Sequence, residues 1–136
     1  MRLGIYGGTF NPPHIGHVRA ASAAIGQLEL DVLLVIPAGM PPHKEMPRGS
    51  PNTDDRMELT RLSFAGLGNT TVTDLELKKE GVSYTAETVE EIRAGYPGFD
   101  IFLIMGSDMF LTLETWRSIR SLLRHVTPAV LSRNDG

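Results

Sequence analysis

Two stretches of this chain are apolar at every position: Val32-Leu33-Leu34-Val35-Ile36, stopped by Pro37, and Ile101-Phe102-Leu103-Ile104-Met105, stopped by Gly106. A strand with one wet face alternates polar and apolar residues. A run with no polar position needs cover on both faces, which is the environment inside a parallel sheet. The two runs therefore predict inner strands, and the remaining segments have to supply helices above and below them.

The remaining segments fit that demand. Arg2–Tyr6 is a short apolar-rich run ending at Gly7-Gly8, read as a buried first strand. In 14–28, Ile15, Val18, Ile25 and Leu28 recur at helical spacing with alanines between them, and Pro12-Pro13 precede the helix start. Residues 37–53 hold prolines at 37, 41, 42, 47 and 51 and read as a long loop. Thr53 is placed to cap a helix that runs to about Ala65, with Asp54 and Asp55 in its first turn. A third strand is expected over 70–74 and a helix from Thr85, with Val89 and Ile92 on one face. The second apolar run follows as strand four, then a helix marked by Trp116, Ile119, Leu122 and Leu123, then strand five over 127–132. Strand and helix alternate throughout. The expected fold is α/β: a Rossmann-like, doubly wound parallel sheet of order 3-2-1-4-5 with helices on both faces. In that order strands 1 and 4 are neighbours where the winding reverses. Ligands of such sheets bind there, beyond the carboxyl ends of the strands. Gly7-Gly8 and Gly106-Ser107-Asp108 would meet at that point.

Bulk properties narrow the function. The 136 residues suit one domain, and a net charge of -3 with a pI near 5.8 argues against broad nucleic-acid binding. There is no cysteine, so no disulfide or thiolate metal site can form, which fits a cytoplasmic location. No apolar run has the length of a membrane helix. The short N-terminal stretch leads directly into Gly7-Gly8, and no signal peptide is expected.

Chemistry concentrates in Gly7-Gly8-Thr9-Phe10-Asn11-Pro12-Pro13-His14-Ile15-Gly16-His17. Glycines after a strand let backbone approach a ligand closely. The helix that follows presents N–H groups and the positive end of its dipole, which suits a phosphate. His14 and His17 are close to one turn apart and can share a side, with Gly16 leaving room for a bulky anion. Two imidazoles there could offset charge building on a transferring phosphoryl group. Taken singly, Gly-Gly after a strand is an ordinary tight turn. A His pair could instead hold a metal, but no third protein ligand is evident, so no protein metal site is expected.

The assembled segment resembles the signature of the His-x-Gly-His nucleotidyltransferases, and within them bacterial nicotinate-nucleotide adenylyltransferases. Pro41-Pro42-His43-Lys44 is similar to that family's Pro-Pro-His-Lys loop. Ser83-Tyr84-Thr85 followed by Glu87-Thr88 is similar to its Ser-Tyr-Thr-x-Asp-Thr segment, with Glu for Asp. Gly106-Ser107-Asp108 and Trp116 are similar to its Gly-x-Asp and downstream Trp. The resemblance runs from residue 2 to about 133. It implies transfer of AMP from ATP to nicotinate mononucleotide, giving deamido-NAD and pyrophosphate in NAD biosynthesis. His14 and His17 would act on the ATP phosphates as catalytic residues. Gly7, Gly8, Thr9, Phe10, Gly106, Asp108 and Arg133 would complete the ATP site, and Lys44, Tyr84, Thr85 and Trp116 the mononucleotide site. Mg²⁺ would arrive with ATP. The partners would be these small molecules, with neither nucleic acid nor membrane, and a homo-oligomer stays open.

The resemblance also has a break. Arg133 is followed by Asn134-Asp135-Gly136 where the family has Pro-Gly, and the family's later Ser/Thr-rich motif ending in Arg does not occur before Gly136. Residues 1–136 are thus expected to be a single nucleotidyltransferase domain, C-terminally truncated. Two alternatives stand beside the main reading. One is another enzyme of the superfamily, a phosphopantetheine adenylyltransferase or a cytidylyltransferase. The other is a truncated, non-catalytic nucleotide-binding domain.

Overall fold

The computed structural model describes residues 1–8, 15–37, 53–75, 85–106 and 119–131. They form β1 (Arg2–Gly8), α1 (Ile15–Leu28), β2 (Val32–Pro37), α2 (Thr53–Phe64), β3 (Thr70–Val72), α3 (Thr85–Gly95), β4 (Asp100–Gly106), α4 (Ile119–His125) and β5 (Thr127–Leu131). The strands make one sheet of order β3-β2-β1-β4-β5, parallel throughout. Both the strand alternation and the reversal between β1 and β4 match the sequence reading.

The two apolar runs became inner strands for the reason given above. From β2, Leu34 and Ile36 point to one face, where Val89 and Ile92 of α3 and Leu122 of α4 pack. Leu33 and Val35 point to the other, against Ala21 and Ala24 of α1 and Phe64 of α2. Leu33 and Val35 are wholly buried. β4 divides its side chains likewise, with Ile101, Leu103 and Met105 on the first face and Ile104 on the second.

Of the four apolar residues expected on the buried face of α1, Val18, Ile25 and Leu28 pack against the core. Ile15 is exposed, and the deepest residues are Ala21 and Ala24. On the same face of the sheet, Gly4 sits where a Cβ would come within 2.6 Å of Leu30 Cδ1 and 3.1 Å of both Leu33 and Ile104 Cδ1. The apolar spacing therefore located the face of α1, and the small residues Ala21 and Ala24 between its larger side chains go deepest. The helix then stops without glycine. Glu29 takes a positive φ of 53°, and the Leu30 N–H donates to the Ile25 carbonyl at 3.1 Å, the six-to-one bond of a Schellman cap. The guanidinium of Arg2 donates to the Leu28 carbonyl at 2.8 Å, and the backbone N–H of Arg2 donates to the Asp31 carboxylate at 2.7 Å. These bonds tie the end of α1 to the start of β1.

Boundaries shifted modestly. β1 extends two residues beyond the expected Tyr6, β3 ends at Val72 rather than Asp74, and β5 ends at Leu131. In α4 Leu122 is buried and Leu123 is largely exposed. Among the described residues, no helix is long and apolar enough to cross a membrane.

Candidate active site

In a parallel sheet with right-handed crossovers each helix runs back along the strands, so the helix N-termini open at the strands' C-terminal edge. That edge gathers the ends of β1 and β4. The ladder between these strands closes at Tyr6↔Ile104. On the outer sides pairing continues further, to Gly8↔Pro37 between β1 and β2 and to Gly106↔Leu131 between β4 and β5. Gly7-Gly8 and Met105-Gly106 therefore part from each other while still held by their outer neighbours. This is the crevice that the reversal of winding creates.

The glycines at the crevice are unlike Gly4. A Cβ on Gly7 would meet nothing nearer than the Ile36 carbonyl oxygen at 3.8 Å, and one on Gly106 would meet no described atom within 4 Å. Packing among the described residues does not require glycine at either place. What their small size keeps clear is the space over the backbone, where a ligand would lie.

The first turn of α1, Ile15-Gly16-His17, follows β1 at this edge. His17 is half-buried there, and both Gly16 and His17 are engaged by neighbouring groups. The dipole of a fourteen-residue helix places partial positive charge at that turn. A first turn carrying an imidazole is suited to oppose the charge of a phosphate.

A further cation stands at the same height, and the sequence reading overlooked it. Phe64 of α2 meets the Tyr6 ring edge to face, with centroids 6.4 Å apart. Arg56 precedes Phe64 by two helical turns on the buried face, so it stands roughly 12 Å closer to the C-terminal edge. Gly8 lies about 7 Å beyond Tyr6 along β1, which puts Arg56 level with the crevice or just above it. Only 2% of Arg56 is exposed, and burial lowers the pKa of its guanidinium from an ordinary value that is far above neutrality. It interacts with neighbouring groups. The signal was present as Arg56, Thr60 and Phe64 at four-residue spacing. It was missed because the reading searched helix faces for apolar residues only. Thr60 is also wholly buried, its hydroxyl donating to the Arg56 carbonyl at 2.7 Å.

Of the expected site residues, Gly7, Gly8, His17 and Gly106 are brought to this edge. Thr85 is the first residue of α3, whose N-terminus opens there too. Thr88, from the segment noted with it, turns inward and is buried. Thr9, Phe10, His14, Lys44, Tyr84, Asp108, Trp116 and Arg133 lie outside the described residues. Among the described residues no three His, Asp or Glu side chains gather as a metal site.

A doubly wound sheet with a glycine-lined crevice at its switch point defines the class of α/β proteins that bind ligands at that edge. The profile of the cytidylyltransferase-like family matches residues 5–135, and the chain belongs to that family. A relative from Pseudomonas syringae pv. tomato, described as a nicotinate-nucleotide adenylyltransferase, is 44% identical over 135 residues, covering 98% of this chain and 60% of the relative. This chain spans about 60% of the length of the curated relatives it matches. Among solved structures, a nicotinate-nucleotide adenylyltransferase from Vibrio parahaemolyticus superposes with a TM-score of 0.79 at 23% identity, over 97% of this chain and 74% of that one. The Plasmodium falciparum nicotinic acid mononucleotide adenylyltransferase complexed with NaAD superposes with a TM-score of 0.70 at 13% identity, over 96% of this chain and 74% of that one. At these identities the structures bear on the fold alone.

Proposed function

We propose that the protein is an adenylyltransferase joining ATP to nicotinate mononucleotide, with residues 1–136 acting as one nucleotidyltransferase unit. The observation that carries this reading is the crevice between the parted ends of β1 and β4, with His17 in the helix turn that follows β1. The curated relatives' descriptions favour nicotinate mononucleotide as the acceptor.

In this reading a phosphate oxygen of the mononucleotide attacks the α-phosphorus of ATP. The bond from that phosphorus to the bridging oxygen breaks, and pyrophosphate leaves with the bonding electrons. No group on the protein is covalently modified. The protein aligns the reactants and opposes charge that accumulates in the transition state. His17, with His14, acts on the phosphates, and the α1 dipole supports both. Gly7, Gly8, Thr9 and Phe10 line the nucleotide, Gly106 and Asp108 receive the adenosine side, and Arg133 adds positive charge. Lys44 reaches a phosphate as a point charge. Tyr84 and Trp116 offer aromatic faces to the pyridine ring, and Thr85 with the start of α3 offers donors to its carboxylate. Mg²⁺ enters as part of the nucleotide substrate, held by phosphate oxygens. A soluble, cytoplasmic setting is part of this reading.

The test is pyrophosphate release from ATP with nicotinate mononucleotide, nicotinamide mononucleotide or phosphopantetheine supplied separately. Release dependent on nicotinate mononucleotide is expected. Release with phosphopantetheine alone would move the protein to another branch of the family, and binding without turnover of any acceptor would make it a binding domain.

A further inference from the structure

We propose that the cleft between the C-terminal ends of α3 and α4 is a second binding site, for a small phosphate-bearing anion. It lies at the opposite edge of the sheet. β4 runs from this edge at Asp100 to the crevice at Gly106, a distance of about 20 Å, so the two places are separate and the transfer reaction does not use this one.

The cleft is built on a fixed turn. After α3 the chain passes through Tyr96-Pro97-Gly98-Phe99 into β4. Gly98 has a φ of 82°, a conformation that favours glycine. The rings of Tyr96 and Phe99 meet edge to face with centroids 5.3 Å apart, and both pack against the core. Over this floor opens a cleft of about 470 Å³, within the size range of small-molecule sites. Arg93 reaches it from α3, and Arg124 and His125 reach it from α4. Both guanidiniums are exposed, and neither has an ion-pair partner among the described residues.

Basic residues in a last helical turn offset the negative end of the dipole, which accounts for Arg93 and Arg124 taken one at a time. It does not account for two helices delivering guanidiniums, and an imidazole, to the same cleft. Planar guanidinium groups bind phosphate oxygens in pairs of hydrogen bonds, and two of them lining one cleft suit an anionic group. Among the described residues, Asp100 is the one carboxylate lining the cleft. Its charge opposes an anion, so removing it gives a test of opposite sign.

The experiment is a nuclear magnetic resonance titration of the whole chain with inorganic pyrophosphate, AMP and adenosine in turn. Pyrophosphate and AMP are expected to move the amides of Arg93, Gly98 and Arg124, and adenosine is not. Tighter binding of AMP than of pyrophosphate identifies a nucleotide site, and the reverse an inorganic one. Combined Arg93→Ser and Arg124→Ser should weaken this response roughly tenfold or more and leave the Gly7 and Gly106 responses unchanged, while Asp100→Asn strengthens it. If the double variant does not fold, Arg124→Gln alone carries the comparison. A silent rim, an adenosine response equal to that of AMP, or a response unchanged by losing the arginines would overturn the proposal.

Discussion

Replacing Gly4 with alanine tests how tightly Leu30, Leu33 and Ile104 close the core over β1. The new methyl carbon would sit 2.6 Å from Leu30 Cδ1, with Leu33 and Ile104 Cδ1 each at 3.1 Å. Carbon contacts are comfortable at about 3.5–4.0 Å, so at least one neighbour must move. All three neighbours are buried, at 0–4% exposure, and have little room to yield. Overpacking of this kind costs about 1–3 kcal/mol. Alanine also narrows the unfolded ensemble, which returns about 0.4–1 kcal/mol. The net expectation is a loss of about 1–2 kcal/mol. In urea unfolding followed by circular dichroism, the midpoint should fall by about 0.5–1 M at an unchanged slope. The control is Gly26→Ala on α1, where a Cβ meets no described atom within 4 Å. There the same chemical change should raise stability by roughly 0.5–1 kcal/mol, since glycine weakens a helix. Shifts of the same sign at both positions, or a Gly4→Ala midpoint equal to wild type, would refute the reasoning.

Other consequences follow from the same contacts. Glu29→Gly relieves the positive φ at the end of α1 and should stabilise by up to about 1 kcal/mol, read as a rise in melting temperature, because the ion pair it gives up with Arg2 at 3.7 Å is exposed. Burial raises the pKa of the Tyr6 phenol above 10.0. The folded state thus favours the neutral phenol, and this contribution is complete below pH 10 and lost as pH rises through the higher folded value. Urea midpoints measured across that alkaline range should decline for wild type and decline less for Tyr6→Phe. Leu33→Ala removes a wholly buried side chain and should cost about 2–5 kcal/mol by urea unfolding.

The sheet was legible in the sequence because its inner strands carry a pattern that few alternatives share. Val32–Ile36 and Ile101–Met105 have no polar position to turn toward water, and both are bounded by a residue that ends a strand. Alternation and handedness then give a doubly wound parallel sheet, and the observed order is 3-2-1-4-5. Helix faces were less legible. In α1 the deepest positions are Ala21 and Ala24, among the expected Val18, Ile25 and Leu28, and smallness leaves a fainter mark than size. Glu29 carries no local sign that it will adopt a glycine-like φ, since the cap is set by Leu30 docking and by Arg2. For the site, Gly7, Gly8, His17 and Gly106 could be read from their place after strands or at a helix start. Arg56 could not be found by seeking apolar periodicity, because it is a charge on the buried face of α2 whose position depends on where the sheet ends.

The central claim is that the crevice between β1 and β4, with His17 beside it, transfers AMP from ATP to nicotinate mononucleotide. The direct measurement is pyrophosphate release by wild type and by His17→Ala under the same conditions. Release by wild type should require the mononucleotide. It should fall by about two to three orders of magnitude in His17→Ala, the scale for losing one donor aimed at transition-state charge, with an unchanged circular dichroism spectrum. Equal release by the two proteins would contradict the account.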